Sequence, residues 1–137
     1  MGYRLGGSSA MKTITVAFDI DGTLRDNTIT DAYVANERIR TLLITLSSMK
    51  NTRIMVWSGG GEDYARKVVN ALGIEKYVDE YGDKGYGGYD ANGHPIFHTD
   101  LKPDIAFDDI EEFSLGTLNL VVHEKGFTPG YVPPESR

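Results

Sequence analysis

Two carboxylates one residue apart, Asp19 and Asp21, close the run Val16-Ala17-Phe18-Asp19-Ile20-Asp21-Gly22-Thr23. If Val16 to Phe18 end a buried strand, both acids emerge together at its carboxyl end, the edge where open α/β sheets bind ligands. Acids so close repel unless a cation or a shared proton compensates them, and a hard divalent ion with oxygen ligands is the natural compensation. The pattern reads as a magnesium-dependent reaction centre. Asp19 is the candidate nucleophile, because a carboxylate that attacks phosphorus forms an aspartyl-phosphate and splits one difficult hydrolysis into two easier steps. Asp21 is the candidate acid and base, donating a proton to the leaving oxygen and then activating the water that hydrolyses the intermediate. Gly22 lets the backbone approach a phosphoryl group, and Thr23 ties the loop down through its hydroxyl. A plain acidic turn is the competing explanation, and it leaves the polar groups further along the chain without a role.

Those groups recur in a regular way. Ser58 directly follows the apolar run Ile54-Met55-Val56-Trp57 and precedes Gly59, Gly60 and Gly61. Its hydroxyl can donate to a phosphoryl oxygen while the glycines, Gly59 first, leave backbone N–H groups accessible near a helix start, although a simple helix cap needs the same hydroxyl at almost the same place. Lys102, in Leu101-Lys102-Pro103-Asp104, precedes another apolar run and is the candidate cation for pairing with Asp19 and offsetting phosphoryl charge. Asp108 and Asp109 follow Ile105-Ala106-Phe107 as Asp19 follows its own run. Asp108 is the better direct magnesium ligand with Asp19, and Asp109 is expected to act through a water or a neighbouring ligand. The backbone carbonyl of Asp21 would complete the protein's share of the metal site.

The elements that must position these groups are legible in outline. Thr13 to Phe18 reads as a short first strand, and Ala35, Ile39, Leu42, Leu43 and Leu46 recur at helical spacing over about 31–49, with Thr30 as the expected N-cap. Arg53 to Trp57 reads as a second strand, followed by a helix with the stripe Ala65, Val68, Val69 and Leu72 that ends at Gly73. A third short strand is expected near Tyr77 and Val78. Between Tyr81 and Thr99 glycines alternate with Tyr81, Tyr86 and Tyr89, the mark of a long loop or a small hairpin whose rings either pack locally or stack on a sugar or base. Ile105 to Phe107 and Leu118 to Val122 read as the remaining strands. This alternation predicts an α/β fold, a three-layer Rossmann-like domain with a mostly parallel central sheet.

With 137 residues, 40% hydrophobic and 25% charged, the chain suits one folded unit, expected over 11–127. Residues 1–10, with Gly6-Gly7-Ser8-Ser9, read as a leader ahead of a natural start at Met11, and 128–137, with Pro129, Pro133 and Pro134, as a flexible tail. The absence of cysteine removes disulfides, thiolate chemistry and Cys-ligated zinc. No apolar run approaches a membrane span, so a cytoplasmic protein without membrane attachment is the expectation. A formal net charge of −6 disfavours broad attraction to nucleic acid or anionic lipid, while leaving room for a phosphorylated substrate held by a bound cation and local donors. His94, His98 and His123 lack companion ligands and are read as surface or packing residues.

Taken in order, Asp19-Ile20-Asp21-Gly22-Thr23, Ser58, Lys102 and Asp108-Asp109 resemble the four motifs of the haloacid-dehalogenase-like phosphohydrolases, over about Ile14 to Val122. The resemblance implies Asp19 as nucleophile, Asp21 as acid and base, Ser58 and Lys102 as phosphate-handling groups and Asp108 as a ligand of Mg2+. An acid at Asp21 separates the chain from the family's dehalogenases and implies a phosphatase. The first interval between motifs is occupied mainly by one helix and the second by a helix and the Gly/Tyr-rich segment, which resembles a capless member. Such an open cleft would admit a large phosphorylated terminus, including a nucleic-acid 3'-end, whereas a partner subunit in a homo-oligomer could close it over a small metabolite. A noncatalytic phosphate-binding module is the alternative from another class, and it leaves Asp21 without a task.

Overall fold

The computed structural model describes residues 12–110, 115–123 and 126–129. Its central sheet has the order β3-β2-β1-β6-β7-β8. β1 (Ile14–Asp19) lies between β2 (Thr52–Ser58) and β6 (Ile105–Asp108), and β2 continues to β3 (Glu80–Asp83) on one side while β6 continues to β7 (Leu118–His123) on the other. These five strands are parallel, and β8 (Gly126–Pro129) adds an antiparallel edge to β7. The α/β Rossmann-like expectation is therefore met. Buried runs such as Ile54 to Ser58 suit this arrangement, since a strand covered on both faces needs no polar alternation.

Helices α1 (Glu37–Ser47) and α2 (Glu62–Leu72) cover one face of the sheet. Ile39 and Leu43 from α1, and Ala65, Val68, Val69 and Leu72 from α2, join Val16, Phe18, Ile54, Val56 and Phe107 in a single core. Both helices lie on one face because the chain moves outward twice, from β1 to β2 and from β2 to β3, by right-handed crossovers. On the opposite face Ala17, Met55, Trp57 and Ala106 are covered by Phe97, Ile110 and Leu115. Phe97 belongs to β5 (Pro95–Phe97), which pairs with β4 (Tyr86–Tyr89) as a separate antiparallel hairpin. Among the described residues this outer layer is hairpin and loop rather than helix.

Three boundaries differ from the sequence expectations. α1 begins at Glu37 after Asn36, six residues later than a cap at Thr30 would allow. Residues 25–36 are held instead by a bridge between Arg25 and Ala35 and by the bonds Asp26 N–H to Val34 C=O (2.7 Å) and Asn36 N–H to Leu24 C=O (2.8 Å). The strand expected at Tyr77 and Val78 is displaced to Glu80–Asp83, and Glu75–Tyr77 forms a 3-10 turn. The tail boundary at 128 falls inside β8, and 130–137 lie outside the described residues, as do the leader positions 1–10. Gly73 does end α2, with φ 71°. Among the described residues no helix is long and apolar enough to cross a membrane.

The order reverses direction between β1 and β6, where a parallel sheet opens a crevice beyond its carboxyl ends. Directly beneath that point the rings of Phe18 and Phe107, paired in register, stack at 4.9 Å between centroids with planes 6° apart. Removing the buried Phe107 ring by Phe107→Ala is expected to cost about 3–5 kcal/mol. Urea unfolding of the two proteins measures this, and a loss below about 1 kcal/mol would show that the ring does not anchor the crevice.

Candidate active site

The carboxyl ends of β1, β2, β3 and β6 gather the polar groups. Asp19 ends β1 and Asp108 ends β6, both buried at 7% and 1% exposure. Between them lies the ammonium of Lys84, 2.7 Å from Asp19 Oδ1 and 2.5 Å from Asp108 Oδ2. Lys84 immediately follows β3, and its backbone N–H donates to the Ser58 carbonyl at 3.1 Å, which ties the lysine to the end of β2. Its Nζ lies 5.8 Å from the Trp57 ring centre and 5.4 Å from that of Phe97. A lysine with 2% exposure is stable as a cation only because paired carboxylates and aromatic faces replace water.

Lys102 does not make this pair. It is exposed in the segment leading to β6 and does not line the cleft. The expected partner of Asp19 is therefore corrected to Lys84. The reason is topological: the end of β3 lies beside the end of β2 at the crevice, whereas Lys102 precedes β6, on the approach to the opposite, amino end of that strand.

The loop after β1 fixes the two acids in different settings. Thr23, fully buried, donates its hydroxyl to Asp19 Oδ2 at 3.3 Å, and so supports the carboxylate rather than lining the cleft. Leu24 N–H and Arg25 N–H fold back on the Asp19 and Ile20 carbonyls at 3.3 and 2.9 Å. Gly22 has φ 81°, and a Cβ there would stand 2.1 Å from Asp109 Oδ2, so glycine is required both by the turn and by the neighbouring acid. Its expected phosphate contact is likewise replaced by a supporting role, since Gly22 does not line the cleft. Asp21 turns away from the buried pair. Its Oδ1 accepts from the Tyr64 hydroxyl at 2.7 Å and from Arg25 Nη1 at 3.0 Å, yet its side chain keeps 45% exposure and lines the cleft. Partial burial and then the bond to Asp21 push the Tyr64 hydroxyl up to about 12, so it stays a proton donor to that carboxylate.

Ser58 is buried at the end of β2 and accepts the Gly60 N–H on its Oγ at 2.9 Å, which leaves the hydroxyl proton for donation elsewhere. It is not the cap of α2, whose N-cap is Gly61. Ser58, Gly59 and Lys84 share one cleft with Asp19, Asp21 and Asp109, a space of ≈ 410 Å³. Asn27, Tyr86 and Phe97 also line it.

Among the described residues Asp19, Asp108 and Asp109 bring carboxylate oxygens within 4.8 Å of one another. Asp109 thus brings a carboxylate oxygen directly into this set, beyond the indirect role expected, and the Asp21 carboxylate is not part of it. Two of these three carboxylates pair with the one ammonium, and the set of hard oxygen donors fits Mg2+. Burial raises the Asp19 carboxyl well above its usual range, Lys84 opposes that rise, and the Asp108 and Asp109 charges add to it. Burial also pulls the Lys84 ammonium down, but Asp19 and Asp108 together outweigh this and hold it above the ordinary lysine value. Asp109 stands at the rim, where partial burial and then the charge of Asp108 push its carboxyl up to about 6.

Comparison with protein families, with curated proteins and with solved structures yields no match.

Two outcomes test this geometry. Lys84→Met is expected to lower stability by about 3 kcal/mol in metal-free protein, because it leaves buried carboxylates without their cation. Lys102→Met should leave the urea midpoint unchanged, and equal effects of the two substitutions would reject the assignment of the buried pair. The second concerns pH. A carboxyl raised to about 6 binds more protons in the folded than in the unfolded state, so its stabilising contribution is complete below about 4 and is lost as pH rises through about 6. In EDTA, Asp109→Asn should therefore lessen the decline in midpoint between pH 4 and 7 relative to the parent protein. An unchanged slope would remove Asp109 from the cluster.

Proposed function

We propose that this protein is a Mg2+-dependent phosphomonoester hydrolase of the haloacid-dehalogenase-like kind, acting through an aspartyl-phosphate on Asp19. The observation that carries this is the Lys84 ammonium held between Asp19 and Asp108, beside Ser58, at the switch point of a parallel sheet. A binding protein for phosphate would not need a buried carboxylate facing its anion, whereas a nucleophile must be there.

In the first step an Asp19 oxygen attacks phosphorus, the ester P–O bond breaks, and Asp21 delivers a proton to the departing alkoxide oxygen. Thr23 and Lys84 orient the attacking carboxylate, each on a different oxygen. Lys84, the Ser58 hydroxyl and the exposed Gly59 backbone offer the donors that receive the phosphoryl oxygens. Asp19, Asp108 and Asp109 would hold Mg2+, which when bound neutralises phosphoryl charge and the mutual repulsion of the acids. In the second step Asp21 takes a proton from water, water oxygen attacks phosphorus, and the acyl-phosphate P–O bond breaks to return the Asp19 carboxylate. Arg25 and Tyr64 hold Asp21 through Oδ1. The second carboxylate oxygen is then the one available for both proton transfers.

Release of inorganic phosphate from a panel of monoesters tests this reading. Asp19→Asn should reduce kcat by at least about 10³-fold while the protein remains folded by circular dichroism. EDTA should abolish release and added Mg2+ restore it. Full activity in Asp19→Asn, or release indifferent to EDTA, would overturn the assignment.

A further inference from the structure

The cleft lining carries two chemistries. Asp19, Asp21, Ser58 and Lys84 supply charged and polar groups, while Tyr86, Tyr89, Pro95 and Phe97 of the β4–β5 hairpin, together with Ile110, supply a largely apolar wall. Tyr89 and Tyr86 keep 66% and 47% exposure. Their rings meet edge to face at 5.8 Å and 81°, and Tyr86 continues to Phe97 at 6.2 Å. This aromatic wall is not remote from the reacting groups. A Cβ on Gly59 would lie 3.4 Å from the Tyr86 Cβ, so the wall starts against the loop that follows Ser58. The hairpin also begins two residues after Lys84, with a turn at Gly85 (φ 66°) between them.

The side chains of the wall offer two phenol hydroxyls and otherwise carbon. A polyol leaving group would give up water at several hydroxyls and regain few hydrogen bonds there. A leaving group with further phosphates would meet no unpaired cationic side chain among the described residues, where Lys84 is the only basic residue lining the cleft and is already paired with two carboxylates. A flat unsaturated ring needs neither, because it can stack or meet an edge with the same geometry that the tyrosines use on each other. The volume of ≈ 410 Å³ has room for one phosphoryl group with a substituent of one or two rings.

We infer that the β4–β5 hairpin is the leaving-group subsite and takes a flat ring, so that the substrate is a monoester of an aryl alcohol or a nucleoside rather than of a polyol. The inference rests on the phosphatase reading for the word substrate, but the subsite itself can be tested by binding.

The probes are phenyl phosphate, a nucleoside 5'-monophosphate and glycerol 1-phosphate, measured with Mg2+ on the parent protein, on Tyr86→Leu/Tyr89→Leu and on Tyr86→Phe/Tyr89→Phe. Phenol is intrinsically the better leaving group, so the decisive quantity is how the ratio of kcat/KM values, ring ester over glycerol ester, changes on substitution. The leucine variant should lower that ratio about five- to tenfold, and the phenylalanine variant should retain it. Whichever ring ester loses more identifies the source of the ring. An unchanged ratio, or an equal loss on all three esters, overturns the subsite while leaving the phosphatase reading intact. If no ester is hydrolysed, calorimetric titration separates the two ideas. Ring monophosphates that bind more tightly than glycerol 1-phosphate, and lose that advantage in the leucine variant, uphold the subsite and overturn the hydrolase; equal binding overturns the subsite.

Discussion

The buried contact of the Lys84 ammonium with Asp19 and Asp108 is the constraint around which the sheet edge is organised. An ammonium at 2% exposure has no water to solvate it, so two carboxylates must be delivered to within hydrogen-bonding distance from separate strands. That requires β1 and β6 to be neighbours, β3 to lie beyond β2, and the segment after β3 to turn back over the end of β2. The Ser58 carbonyl, which receives the Lys84 N–H, makes that turn local. Even so, one ammonium does not balance three carboxylates. The surplus of acidic groups opposes folding wherever they ionise together, and a divalent cation bound there would act on the same residues that set fold stability.

The same arrangement places Asp19 and Asp21 in different settings. Asp19 is enclosed, with one oxygen on Lys84 and the other on Thr23. Asp21 is half-exposed, with both of its donors on one oxygen, and Arg25 is itself braced on the Ile29 carbonyl at 3.2 Å and on the face of Tyr33 at 5.0 Å. Carboxylates one residue apart thus sit in environments that suit unlike tasks, an oriented nucleophile and a proton carrier in contact with water. The residues responsible, Tyr64 on α2 and Tyr33 in the loop before α1, are both packed against the core on the helical face of the sheet.

Much of this was legible in the chain, and what was missed has a physical cause. Asp19, Ser58 and Asp108 each end an apolar run, and a buried parallel strand writes itself as such a run, so both the strand and the polar residue at its end could be read directly. β3 is an edge strand, Glu80-Tyr81-Gly82-Asp83, with no apolar run at all; it is a strand because β2 supplies its hydrogen bonds. Lys84 follows that silent strand, and Lys102, which precedes a clear one, attracted the role. The signal that could have found Lys84 is its position, the first residue before a glycine turn in a segment that had to close beside Ser58. The pairing of Arg25 and Tyr64 on Asp21 spans 39 residues between its own members and depends on how α2 packs, which no local pattern encodes. The early start expected for α1 failed for a similar reason: 31–36 have helical periodicity, but their backbone groups are claimed by the loop that holds Asp21.

The covering of the sheet's second face links these observations. A parallel sheet must bury both faces, and here the face opposite the helices is covered by Phe97, Ile110 and Leu115 from hairpin and loop. A helix in that place would close the face uniformly. A two-stranded hairpin instead packs one side of itself on Trp57 and Ala106 through Phe97 and leaves Tyr86 and Tyr89 exposed at the cleft. Because this hairpin begins at Tyr86, one residue beyond Gly85, the segment that completes the buried charge cluster also supplies the aromatic wall of the cleft. Under the proposed function, change in the hairpin would act on what the cleft admits, while Lys84 itself stays fixed by two carboxylates and the Ser58 carbonyl, so selectivity and reactivity could vary separately although one stretch of chain carries both.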